Sequence, residues 1–147
     1  MSIKLPTLSE TETFAAAVAA IARPGDAVLL SGDLGSGKTA FARGFLRAAS
    51  EDPTLEVPSP SFTLVQNYAT RRGTVHHFDL WRLDGPAALT ELGWDDARDD
   101  IVLVEWPDRL GALAPPDALR LDFALGEADA RVVTVSGWSD RLVLADP

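Results

Sequence analysis

The chain contains no cysteine, and only one methionine and one tyrosine. Without cysteine there is neither a disulfide framework nor a thiolate metal site, which is compatible with a reducing compartment. Basic residues are scarce as well: 13 Lys+Arg stand against 22 Asp+Glu, for a formal net charge of −9. A surface this acidic repels phosphate backbones unless basic residues cluster, so strong unaided binding of nucleic acid is not expected. No stretch approaches the roughly 18 apolar residues of a membrane span, and Met1-Ser2-Ile3-Lys4-Leu5-Pro6 lacks the apolar core of a signal peptide. The two histidines, His76 and His77, are adjacent, so on a strand they point to opposite faces and make a poor metal pair. The expectation is a cytoplasmic protein with no membrane contact.

What the chain does have is ordinary globular usage, with 46% hydrophobic and 24% charged residues. Its 147 residues suffice for a real core, and they are expected to form a single domain over residues 1–147. Within it, Gly32-Asp33-Leu34-Gly35-Ser36-Gly37-Lys38-Thr39 fits the phosphate-cradling P-loop pattern. Glycines let successive backbone N–H groups converge on one anion, Lys38 reaches toward the outer phosphates, and the Thr39 hydroxyl suits Mg²⁺. Context strengthens the match. Ala27–Ser31 reads as a buried strand and Ala40–Ala49 as a helix, the strand–loop–helix setting that the motif requires. The loop predicts nucleotide binding.

Around this unit the pattern predicts alternating strands and helices. Ser9 and Glu12 are spaced as a capping box, opening a helix through Phe14, Val18 and Ile21 that stops before Pro24-Gly25. Pro53, Pro58 and Pro60 mark a loop. Ser61–Tyr68 and Thr74–Trp81 read as a hairpin turning at Arg71-Arg72-Gly73, followed by a short helix from Gly85-Pro86 to Gly93. Ile101–Val104 is a continuous apolar run, as in a central strand buried on both faces. Leu119–Leu125 and Arg131–Ser136 read as two last strands around Gly126.

Hydrolysis requires an acid beyond the P-loop. Glu105 directly follows the apolar run, at the strand end where α/β sheets place ligands. Asp79 is flanked by apolar residues, so it can face a polar cleft while they face the core. Ser59-Pro60-Ser61-Phe62-Thr63 places three hydroxyls on a stiff loop, as nucleotide switches do. Arg43, Arg71, Arg72 and Arg82 suit surface ion pairing better than phosphate contact. Trp81 and Trp106 each neighbour a candidate acid, so they are candidate walls of the site, core packing being the plainer role.

Four blocks, the P-loop, Ser59-Pro60-Ser61-Phe62-Thr63-Leu64-Val65, His77-Phe78-Asp79-Leu80-Trp81-Arg82-Leu83 and Val104-Glu105-Trp106-Pro107, together resemble the TsaE (YjeE) family of bacterial ATPases. These are required to make threonylcarbamoyladenosine in tRNA. The order and spacing of the blocks match over nearly the whole chain. Ser61 stands where the family usually has Thr, and Trp81 where it usually has Tyr. The resemblance implies an α/β fold with a mixed, largely parallel P-loop sheet flanked by helices. It implies ATP and Mg²⁺ as cofactors, and the TsaB and TsaD proteins as partners, with tRNA reached indirectly through them. Leu34, Gly35, Ser36, Gly37 and Lys38 would hold phosphates, while Thr39 and Glu105 would hold the metal. Asp79 would assist hydrolysis beside Lys38 and Glu105, Ser61 and Thr63 would lie in the switch-like loop, and Leu8 to Thr11 would lie near adenine. No Asn-Lys-x-Asp motif is present, in keeping with ATP over GTP. Two other classes remain open: a small-molecule P-loop kinase, and a non-catalytic module that uses ATP as a conformational ligand.

Overall fold

The computed structural model describes residues 1–142. Among these residues seven strands form one sheet: β1 Ser2–Leu5, β2 Ala27–Gly32, β3 Val65–Thr70, β4 Gly73–Asp79, β5 Ile101–Glu105, β6 Leu119–Leu125 and β7 Arg131–Ser136. Their spatial order is β1-β7-β6-β2-β5-β4-β3. The central strands β6, β2, β5 and β4 pair in parallel, while β1–β7, β7–β6 and β4–β3 are antiparallel. The expected mixed, largely parallel sheet is what forms. The two innermost strands carry the continuous apolar runs, since helices or turns cover both their faces.

Alternation along these strands divides the core in two. Val28 and Leu30 of β2, Ile101 and Leu103 of β5, and Val75 of β4 face one side. There they meet α1 (Leu8–Ile21) and α2 (Lys38–Ser50), the helices packing through Phe14, Val18, Phe41 and Phe45. Phe41 lies at the centre of this layer, with ring centroids 5.7 Å from Phe14 and 5.9 Å from Phe123. Ala27, Leu29, Val102, Val104 and Phe78 face the opposite side. That side is covered by 3₁₀ turns at Pro86–Leu92 and Pro107–Leu113 and by the short α3 (Trp94–Ala97), which brings Trp94 edge-on to Phe78.

Several boundaries differ from the sequence pattern. The cap of α1 is Thr7, which accepts from the Glu10 N–H at 3.3 Å, so the Thr/Glu spacing is used two residues earlier than Ser9/Glu12. The strand β3 begins only at Val65, because Ser61–Leu64 forms a turn in which Leu64 takes a left-handed φ of 69° and donates to the Pro60 carbonyl. The partner strand stops at Asp79, before Trp81. The edge strand β1 had no pattern to mark it: four residues with only Leu5 fully buried, held in place by pairing with β7.

Candidate functional site

The site grows from the junction of β2 and α2. At Gly32 a Cβ would stand 2.4 Å from the Phe123 carbonyl oxygen, so only glycine lets the chain leave the sheet this close to β6. Gly37, with φ 113°, caps α2 without a side chain. The free N–H groups of the first helical turn therefore open onto a cavity of about 360 Å³, a place suited to an anion. Leu34, Gly35, Gly37, Lys38 and Thr39 all line it. Ser36 does not: its hydroxyl is buried on the other side of the loop, with no hydrogen-bond partner among the described residues.

Lys38 is 4% exposed, an uncommon state for a lysine, and its ammonium donates to the Gly32 carbonyl and lies 3.5 Å from the Trp106 ring centroid. Burial pushes its pKa below the usual lysine range, while Glu105, Asp79 and Asp33 pull the other way. Trp106, held at φ 61°, also packs on Trp81 with centroids 4.4 Å apart, so the two tryptophans do wall the cavity.

The acids converge as the strand register requires. Glu105 pairs in register with Asp79 across β5 and β4, and alternation turns both toward α2, while Phe78 between His77 and Asp79 enters the opposite core. The Thr39 hydroxyl donates to Glu105 Oε1 at 3.0 Å, linking the helix start to the end of β5. Asp79 Oδ2 accepts from Ser59 at 3.0 Å and Ser61 at 3.4 Å, and its Oδ1 accepts from the Trp81 N–H. The hydroxyl loop thus reaches the cavity through Ser59 and Ser61. Thr63 does not; it is exposed and accepts from Gln66.

A second cavity of about 410 Å³ lies between the start of α1 and the β6–β7 turn. Pro6, Thr7, Leu8 and Thr11 line it, and Gly37, Ala40 and Arg131 are shared with the first. The two adjoin at the first turn of α2. Among the arginines, Arg71 pairs on the surface with Glu51, Arg72 donates to the Ala22 carbonyl, and Arg82 stacks on Phe62. Arg43, expected on the surface, lines the first cavity.

Two features escaped the sequence reading. Arg131 has no local motif and reaches the site only because β7 lies beside β6. His77 shares a face with Asp79 at i, i+2, a signal that could have singled it out from His76. His76 instead bonds Asn67 and Asp100.

A strand–glycine loop–helix unit, an acid at the end of the adjacent parallel strand and a cavity above both define a P-loop NTPase-like α/β protein. The comparisons sharpen the class. A family model described as "Threonylcarbamoyl adenosine biosynthesis protein TsaE" matches residues 5–133. The TsaE protein of Rickettsia bellii is 37% identical over 128 residues, 86% of this chain and 88% of the relative. That of Bacillus subtilis is 33% identical over 134 residues, 90% and 82% respectively. The crystal structure of Bacillus subtilis YdiB superposes with a TM-score of 0.76 at 28% identity, covering 96% of this chain and 87% of that one. The chain belongs to the TsaE family, whose role is in tRNA threonylcarbamoyladenosine biosynthesis.

Proposed function

We propose that this chain binds and hydrolyses ATP with Mg²⁺, slowly by itself, and is activated by docking on the TsaB–TsaD complex. The observation that carries this reading is the Thr39–Glu105 hydrogen bond beside Lys38, which sets two hard oxygens at the mouth of an anion cradle. Mg²⁺ is usually held by one or two protein oxygens, with phosphate and water completing its shell, so this donor pair fits it. Bound there, the ion supplies charge neutralisation of phosphate oxygens.

The protein's own residues supply the rest. The N–H groups of the loop and Lys38 bind and orient the phosphates; the glycines set the backbone close to them. Asp79, oriented by Ser59, Ser61 and the Trp81 N–H, is placed to hold a water and take its proton. Trp81 and Trp106 exclude other water. The second cavity, with Thr11 and Leu8, is the side on which adenine fits.

Charge and exposure support dependence on a partner. Of the two arginines that line the first cavity, Arg131 is engaged by the carbonyls of Asp129, Ala130 and Gly35, which leaves Arg43 as the chain's own candidate for phosphate charge. A charge-stabilising group supplied in trans is worth about 10³–10⁵ in turnover. Leu34 and Trp81, which line the cavity, are exposed by 70% and 44%, and Phe62, on the hydroxyl loop between Ser61 and Thr63, by 84%, apolar surface that another protein would cover. With a net charge of −9, contact with tRNA is through that partner. No helix among the described residues is long and apolar enough to cross a membrane, and a cytoplasmic setting accords with the reading. The test is steady-state ATP hydrolysis by the purified protein, alone and titrated with TsaB and TsaD. Low turnover that rises on titration is expected; a full rate alone, unaffected by partners, would defeat the mechanism, and phosphoryl transfer to an organic acceptor would make the protein a kinase.

A further inference from the structure

His77 is completely buried on β4, one of the few polar side chains in the interior. Its neighbours along the same face of the strand are Val75 and Asp79. One polar contact ties it down: Nε2 lies 2.7 Å from Glu105 Oε2. Its Nδ1 is buried with no partner among the described residues. An N–H at Nε2 donating to the carboxylate leaves Nδ1 as a bare lone pair, which is cheaper to orphan than an N–H.

The consequence falls on Glu105. That carboxylate is 2% exposed, and each of its oxygens is engaged, Oε1 by Thr39 and Oε2 by His77. The last torsion of a glutamate is broad, so a carboxylate held at one oxygen still swings. Held at both, it presents a fixed edge to the cavity.

We infer that His77 is a positioning residue for the metal site: its Nε2–H locks Glu105 Oε2 so that Oε1 stays beside Thr39 in the geometry that a divalent cation needs. The inference rests on the reading of Thr39 and Glu105 as metal-holding residues. Partners that orient a ligating carboxylate from behind are worth about 10–100-fold in metal affinity.

The experiment measures Mn²⁺ binding to the protein–ADP complex from the electron paramagnetic resonance signal of free Mn²⁺, in wild type, His77→Gln, His77→Asn and His77→Leu. Affinity for ADP in EDTA, read from the change in total tryptophan fluorescence, and thermal melting are followed in parallel. A glutamine amide reaches the place of Nε2, whereas an asparagine amide reaches only that of Nδ1. His77→Gln is therefore expected to hold Mn²⁺ within about threefold of wild type, and His77→Asn and His77→Leu to weaken it by about 10–100-fold. ADP affinity in EDTA stays level across all four. Should His77→Leu fail to fold, the Gln/Asn pair decides between two amides of similar bulk. Wild-type Mn²⁺ affinity in His77→Asn, or equal losses in His77→Gln and His77→Asn, would overturn the inference while leaving the metal site standing. Absence of Mn²⁺ binding in the wild-type ADP complex would overturn the metal reading itself, and this inference with it.

Discussion

The two faces of the sheet are built on different plans. One is covered by two regular helices of 14 and 13 residues, and it carries every candidate chemical group: Lys38 and Thr39 from α2, with His77, Asp79 and Glu105 turned toward them from the strands. The other is closed by 3₁₀ turns and a four-residue helix, and its interior is plain apolar packing around Phe78, Leu89, Trp94 and Leu110. The difference teaches how one strand serves both needs. Along β4, His77 and Asp79 belong to the chemistry and Phe78 between them to the opposite core, because consecutive side chains leave a strand on opposite faces. Function and stability are interleaved residue by residue, and substitution can pull them apart.

The largest expected effect is on stability. Phe78→Ala removes a fully buried ring that packs at 5.2 Å, edge-on, against Trp94. It is expected to destabilise the protein by about 3–5 kcal/mol. At roughly 2–4 °C per kcal/mol for a chain of this size, a thermal scan should show a drop of some 6–20 °C. Nucleotide affinity of the folded fraction should stay unchanged. A specific loss of binding without loss of stability would break the division between faces.

Lys38→Ala makes the opposite cut. Turnover should fall by about 10²–10³, the cost of removing one charge-stabilising donor, with the fold intact by circular dichroism. Unchanged ATP affinity and turnover in the folded variant would sink the phosphate assignment.

Glu105→Gln sharpens the comparison further. The amide keeps the shape but offers one acceptor oxygen where the carboxylate accepts from both Thr39 and His77, and it loses the charge that a hard cation prefers, so Mg²⁺-dependent turnover should drop by about 10–100-fold while nucleotide binding without Mg²⁺ holds. Wild-type hydrolysis would reduce Glu105 to a strand-end carboxylate and pass the metal role to Asp79.

The smallest effect is a pH dependence. Burial lowers the Lys38 pKa below that of an unfolded lysine, so between the two values the unfolded chain holds more protons than the native one. Stability contributed by this site therefore rises with pH across that window, and the cost of the buried ammonium is fully present below it. Melting temperatures of wild type and Lys38→Met, compared from neutral pH upward, should converge or cross as the wild-type ammonium loses its proton. Parallel curves would mean that Lys38 keeps an ordinary lysine pKa.

Local sequence determined more of the helical face than of the other. The P-loop, the apolar run before Glu105 and the stripe of α1 are short-range patterns whose physics is complete within a dozen residues, so the strand–loop–helix unit and both candidate acids could be read directly. Tertiary structure decided what depends on distant neighbours. Whether β1 exists at all depended on the free edge of β7, since four largely exposed residues cannot hold a strand alone. Which hydroxyls meet Asp79 was settled by the left-handed turn at Leu64, which brings in Ser59 and Ser61 and leaves Thr63 outside. That His77 rather than His76 stands behind Glu105, and that Arg131 joins the two cavities, followed from strand order, because alternation says which residues share a face but only pairing says what that face meets.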